Sequence, residues 1–218
     1  MDPFHERLAR VGLVAAAPFG FCLAGGYAVQ AHGMVERCSK DVDLFTSTAA
    51  GDHFSDAVTA VITAYRDDGL EVSTDREGPT FARLLVREPV DHMDSIVELG
   101  VDWRAFPPVT LDIGPVLHPD DAVANKVCAL FGRAEVRDYI DVHGALRSGR
   151  YSGERLLALA VEHDPGFEHD VRRRAAGRAP ASCERLRAVR DRRVGRRVVV
   201  RATLVAWADQ ISGAGPAE

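Results

Sequence analysis

The chain has 218 residues, 46% of them hydrophobic and 27% charged, which suits a soluble globular protein and excludes the low-hydrophobicity, high-charge composition of a disordered one. Its net charge of -5 is unevenly spread: residues 1–170 carry 15 Lys and Arg against 28 Asp and Glu, whereas 171–201 carry 12 Arg against Glu184 and Asp191. Cys22, Cys38, Cys128 and Cys183 include no C-x-x-C pair, so neither a zinc site nor a disulfide framework is indicated and a cytoplasmic setting is expected.

Pro3 to Ala16 carries Phe4, Leu8, Val11 and Val14 at helical spacing, with Gly12 as its weak point. The uncharged stretch from Val11 to Val35 is broken by Pro18, Gly20, Gly25, Gly26 and Gly33, which argues against a membrane span, and Asp2 and Glu6 spoil the basic start of a signal peptide. Phe21 to Ala24, Gly25-Gly26 and Tyr27 to Met34 read as strand, glycine turn and helix. Asp41 to Thr46 alternates acid and apolar residues as a half-buried strand does. A helix from His53 to Tyr65 follows, presenting Phe54, Val58, Val61, Ile62 and Tyr65 on one face. Strands are then expected at Glu71 to Asp75, Phe81 to Arg87 and Ser95 to Trp103, and a last short one within Thr110 to Val116.

From Pro119 the pattern is helical. Pro119 suits a helix start, Asp120 and Asp121 complement the dipole of a helix running to Gly132, Glu135 to Leu146 forms another helix, and Ser152 caps one through Glu162. The expected fold is therefore α+β: a lobe over residues 1–116 built on a mixed sheet with flanking helices, then a helical lobe over 117–218 containing the Arg-rich segment 171–201. The eight histidines show no metal-ligand spacing, and Trp103 and Trp207 are expected to pack.

Three features carry chemistry. Gly25-Gly26 precedes Asp41-x-Asp43 by fourteen residues; glycines at a strand end let backbone N–H groups approach a triphosphate. Alternation places Ser39, Asp41 and Asp43 on one strand face, and two carboxylates about 7 Å apart can share a magnesium ion. A third carboxylate is expected on a neighbouring strand, where Glu98 and Asp102 share a face. Glu98 is the mid-strand choice. Second, only two of the basic side chains are lysines, Lys40 and Lys126. Lys126 lies in an otherwise small and apolar helix, where an ammonium needs an anion such as a β or γ phosphate; Arg133, seven positions on, extends that cationic strip. Third, Asp138 and Asp141, three apart on a helix, can hold Lys126 or Arg133, accept the acceptor's proton, or form ordinary ion pairs.

The segments LAGGYAVQAHGMVERCSKDVDLF and HPDDAVANKVCALFGRAEVRDYIDVHGAL together resemble the AbiEii/AbiGii-type nucleotidyltransferase toxins, including the MenT toxins, of the DNA polymerase β-like superfamily. The resemblance spans Phe21 to about Leu146. It implies a polymerase β-like nucleotidyltransferase lobe in which Gly25 and Gly26 line the triphosphate site, Asp41 and Asp43 bind Mg2+ or Mn2+, Lys126 contacts the nucleotide and Asp138 is catalytic. Ser39 matches a serine that in some relatives is the target of an antitoxin kinase. Tyr27 stands where the family more often has serine or threonine, and Glu98 where it has aspartate. The implied activity is transfer of a nucleoside monophosphate from an NTP to RNA, such as the tRNA 3′ end, by a toxin with a cognate antitoxin. The Arg-rich segment suits phosphate-backbone contact. The same GG and D-x-D chemistry also serves small-molecule, aminoglycoside-type nucleotidyltransferases, and a catalytically inactive nucleotide-binding relative is the third reading.

Overall fold

The computed structural model describes residues 1–133 and 135–167. The Arg-rich segment 171–201 and Trp207 lie outside them. The chain divides into two compact units, Met1–Ala122 and Val123–Glu218.

In the first unit, helix α1 (Pro3–Ala15) starts where Asp2 accepts hydrogen bonds from the Phe4 and His5 amides, with Pro3 in the first turn. Such a cap is worth about 1 kcal/mol. Its buried stripe is Phe4, Leu8, Ala9, Gly12 and Leu13, whereas Val14, expected on that stripe, is 78% exposed. Gly12 explains the rotated face: a Cβ there would lie 2.6 Å from a Leu44 methyl and 2.7 Å from the Tyr65 hydroxyl. The glycine that weakens the helix in isolation lets α1 sit against the sheet and against α3 (Phe54–Asp67). Tyr65 donates to the Leu8 carbonyl at 2.9 Å across that contact, and burial pushes its phenol far above its ordinary pKa.

The sheet has seven strands: β1 (Cys22–Leu23), β2 (Asp41–Ser47), β3 (Glu71–Glu77), β4 (Phe81–Glu88), β5 (Met93–Asp102), β6 (Val109–Leu111) and β7 (Gly114–Val116). Their order is β3-β4-β5-β2-β1-β7-β6. The sheet is mixed: β2 runs parallel to β5 and β1 parallel to β7, and the other pairs are antiparallel. The expected single strand at Thr110 to Val116 is in fact the tight hairpin β6–β7, with Leu111 opposite Gly114. Gly114, at φ +124°, supplies the backbone conformation that folds the strand back.

Alternation along β2 buries Val42, Leu44 and Thr46 and leaves Asp41, Asp43, Phe45 and Ser47 half-exposed. Register carries the pattern across the sheet, with Val42 beside Val97 and Leu44 beside Leu99, then Leu84 beside Val97 and Ala82 beside Leu99. All six are fully buried, and each large apolar side chain contributes about 1.5–3 kcal/mol. The opposite face carries the acids. Edge strand β3 is exposed and charged, with a register shift between Thr74 and Arg76, a composition that discourages pairing with another chain.

Helix α2 (Gly25–Ala31) connects β1 to the loop before β2. Helix α4 (Pro119–Gly132) begins in the first unit and continues into the second. In its first turn Asp121 accepts from the Ala105 and Phe106 amides at 2.9 and 3.1 Å, so it fixes the preceding loop as well as favouring the helix dipole. Trp103, expected to pack, is 40% exposed. The described part of the second unit holds the rest of α4, α5 (Val136–Arg147) and α6 (Gly153–His163). Cys128 on α4 meets the Ala160 carbonyl on α6 at 3.7 Å, and Phe131 stacks edge-on against Phe167 at 5.0 Å.

Candidate active site

The site begins where β1 ends. The Ala24 amide donates to the Asp43 carbonyl at 2.8 Å, which ties the glycine pair to the D-x-D strand. Gly25 does not wait for the turn to finish but is the first residue of α2, with φ +59°. A Cβ at Gly25 would fall on Asp43 Oδ2 and lie 2.5 Å from Asp43 Cγ. The first glycine is therefore demanded by its backbone conformation and by the Asp43 carboxylate that fills the missing side chain's place. At Gly26 a Cβ would stand 2.9 Å from both Arg37 Nη2 and Ser39 Oγ, so these two side chains lie across the second glycine. Ser39 is buried and donates to Asp41 Oδ1 at 2.9 Å. Glycines, Ser39 and both aspartates thus form one connected group within the first unit, with Arg37 as a member that sequence reasoning missed.

Replacing Gly25 with alanine should disable this group, because the new methyl meets Asp43 and the left-handed backbone costs about 1–2 kcal/mol for a non-glycine residue. Thermal melting and activity should fall together; a variant as stable and active as the parent would contradict the close approach.

Register decides where the other acids stand. Glu98 on β5 pairs directly with Asp43, and Asp102 pairs with Ser47. Asp102 is thus four residues along the strand from Glu98, about 13 Å away, and its Oδ1 accepts from the Trp103 amide. Glu98 faces Arg83 of β4 on its other side. Both Nε and Nη2 of Arg83 reach Glu98 Oε1, at 2.9 and 2.7 Å. Arg83 went unread in the sequence although alternation in FARLLVRE places it on the acid-bearing face; which strand lies next to which is not written in alternation.

Tyr27 is 1% exposed. Its hydroxyl meets His5 Nδ1 at 2.6 Å, and His5 Nε2 meets Ser95 Oγ at 2.7 Å. Burial pushes the phenol to about 12 and holds His5 below its ordinary pKa, outweighing Asp2 and Asp41. The Tyr27 hydroxyl therefore ties α2 to α1 and β5. Cys22, buried and pushed up to about 11, stays a thiol.

In the second unit the predicted basic and acidic residues pair off. Lys126, 6% exposed, meets Asp141 Oδ2 at 3.1 Å, and Asp141 is fully buried. Arg133 forks onto Asp138, Nε to Oδ2 and Nη2 to Oδ1, both at 3.0 Å. The two aspartates that sequence left with interchangeable roles are thus separated: Asp138 holds Arg133 and Asp141 holds Lys126.

Over residues 16–196 the sequence matches the family described as "Nucleotidyl transferase AbiEii toxin, Type IV TA system". The chain belongs to this nucleotidyltransferase toxin family. It is a nucleotidyltransferase, and a toxin-antitoxin family implies an NTP substrate and an antitoxin partner. Solved structures share its fold. JHP933 from Helicobacter pylori aligns with TM-score 0.56 at 18% identity, covering 96% of this chain and 91% of that one. The MenT4 nucleotidyltransferase toxin of Mycobacterium tuberculosis H37Rv aligns with TM-score 0.56 at 18% identity over 82% of this chain and 73% of its own. The antibiotic-resistance factor ANT(2'')-Ia gives TM-score 0.52 and 16% identity, with 78% and 96% covered. The α+β architecture is thus that of the polymerase β-like nucleotidyltransferases. No curated protein matches in sequence. Among the described residues no helix is long and apolar enough to cross a membrane.

Proposed function

We propose that the chain transfers a nucleoside monophosphate from an NTP to an RNA hydroxyl, the tRNA 3′ end first among them, in the cytoplasm. The observation that carries this is the joined group of Gly25, Gly26, Ser39, Asp41 and Asp43, in which the fit between Gly25 and Asp43 leaves no room for another residue. Asp41 and Asp43 offer only hard oxygen donors on a half-exposed strand face, which suits Mg2+ or Mn2+. Two carboxylates leave coordination positions for phosphate oxygens, water and a further carboxylate. A divalent ion bound there neutralises the triphosphate and lowers the pKa of the acceptor hydroxyl.

The chain's own residues supply the rest. Arg37 and Ser39, lying across Gly26, line the phosphate side, and Ser39 orients Asp41 through its hydrogen bond. The resemblance implies nucleotide contact by Lys126, and helical spacing adds Arg133, seven positions on, as a second cation of the same strip. Asp141 holds Lys126 and Asp138 holds Arg133, so both aspartates orient those cations, and the catalytic role that the resemblance implies for Asp138 stays part of this proposal. Glu98, beside Asp43 in register, is the third carboxylate, and Asp102 stands apart from it.

Purified protein incubated with each radiolabelled NTP, Mg2+ and tRNA should label the RNA, and expression without the antitoxin should arrest growth. Antibiotic resistance in place of growth arrest would support instead an aminoglycoside-type acceptor, the reading favoured by the likeness to ANT(2'')-Ia. Ser39→Asp should cut transfer at least tenfold, because it replaces a donor to Asp41 with a like charge beside it. Unchanged transfer by that variant would remove Ser39 from the site.

A further inference from the structure

We propose that Arg83 is a positioning residue that withholds Glu98 from the cation held by Asp41 and Asp43, leaving the nucleotide-free protein with two metal-binding carboxylates and a third in reserve. The inference rests on the metal assignment above and deepens it.

Arg83, Glu98 and Asp43 form one row across adjacent strands β4, β5 and β2. Two charge-assisted hydrogen bonds from Arg83 converge on the single oxygen Oε1, a strong and directional hold. Arg83 is itself fixed from two more sides, by Asp75 Oδ2 at 3.8 Å and by the Phe81 ring, whose centroid is 5.9 Å from the guanidinium carbon. Asp43 turns the other way along the row, its Oδ2 filling the space over Gly25. The two neighbouring carboxylates are thus engaged with different groups, Asp43 against Gly25 and Glu98 with Arg83, and among the described residues no group of three acids, histidines or cysteines gathers for a metal. Glutamate has one more rotatable bond than aspartate, which lets its carboxylate be drawn aside to Arg83.

The functional consequence is an order of events. A site with two protein carboxylates binds a hard cation weakly until phosphate oxygens complete its shell. The ion and the nucleotide are then retained together, and the resting protein holds neither tightly.

The test is a Mn2+ titration of the full-length protein without nucleotide, following the free ion by electron paramagnetic resonance. Arg83→Ala and Arg83→Gln should each tighten Mn2+ binding about tenfold while the protein keeps its melting temperature, and adding Glu98→Gln should erase that gain. Unchanged or weaker binding in the Arg83 variants overturns the proposal. So does a gain that survives Glu98→Gln, since it reports only the loss of a nearby positive charge. Asp43→Asn separates the layers. If it removes Mn2+ binding while the Arg83 variants change nothing, the withheld carboxylate alone fails; if it leaves Mn2+ binding intact, the metal assignment fails and this proposal with it.

Discussion

Asp43→Asn should lower nucleotide transfer roughly 10²–10³-fold, the usual cost of removing one charged group that stabilises the transition state, with stability changed by no more than about 0.5 kcal/mol. The amide keeps the shape that fits over Gly25 and removes the negative charge. The Asp43 carbonyl that accepts from Ala24 is backbone and survives the substitution, so β1, α2 and β2 stay joined. Loss of activity with an unchanged melt would place the defect in the chemistry; a variant that transfers at the parent rate would remove the D-x-D strand from the reaction.

The second large effect is on stability. Asp141→Asn strands the ammonium of Lys126, which is 8% exposed at the side chain and 3.1 Å from its partner. Breaking a buried pair by neutralising one member costs about 3–5 kcal/mol, which for a domain of this size lowers the melting temperature by roughly 10 °C. Replacing both members, as Lys126→Met with Asp141→Leu, should recover most of that loss, since a buried ion pair contributes little net stability over apolar residues of similar volume. The double variant should nevertheless remain without transfer activity if Lys126 contacts the nucleotide. Differential scanning calorimetry checks the first part and an NTP-labelling assay the second; an unchanged melt for Asp141→Asn would contradict the stability claim, and an active double variant would remove Lys126 from nucleotide contact.

Much of this was readable in the sequence, for definite reasons. DVDLFT alternates strictly, so the face shared by Asp41 and Asp43 follows from the strand's period. Parity on β5 likewise singled out Glu98 and Asp102, but only the parallel register with β2, pairing Glu98 with Asp43 and Asp102 with Ser47, distinguishes them. Arg83 escaped notice for the same reason. That a phosphate can approach the Gly25 backbone follows from its lack of a side chain, whereas the Asp43 carboxylate that occupies the missing side chain's place depends on contacts distant in sequence. The hairpin at Leu111 to Gly114 was missed because only Gly114 and its positive φ mark the reversal. Asp138 and Asp141 share a helix side, but which cation each meets is set by how α4 and α5 pack. Local periodicity fixes faces, and packing fixes partners.

On the proposed function, this chain moves the α-phosphoryl group of an NTP, with its nucleoside, to an acceptor hydroxyl. Parallel reactions with α-labelled and γ-labelled NTP, Mg2+ and total RNA test it most directly. α-Label should appear on RNA and γ-label in released pyrophosphate, and Asp43→Asn should reduce both roughly 10²–10³-fold. Retention of both labels in intact NTP with every nucleotide, or equal transfer by the Asp43 variant, would contradict it.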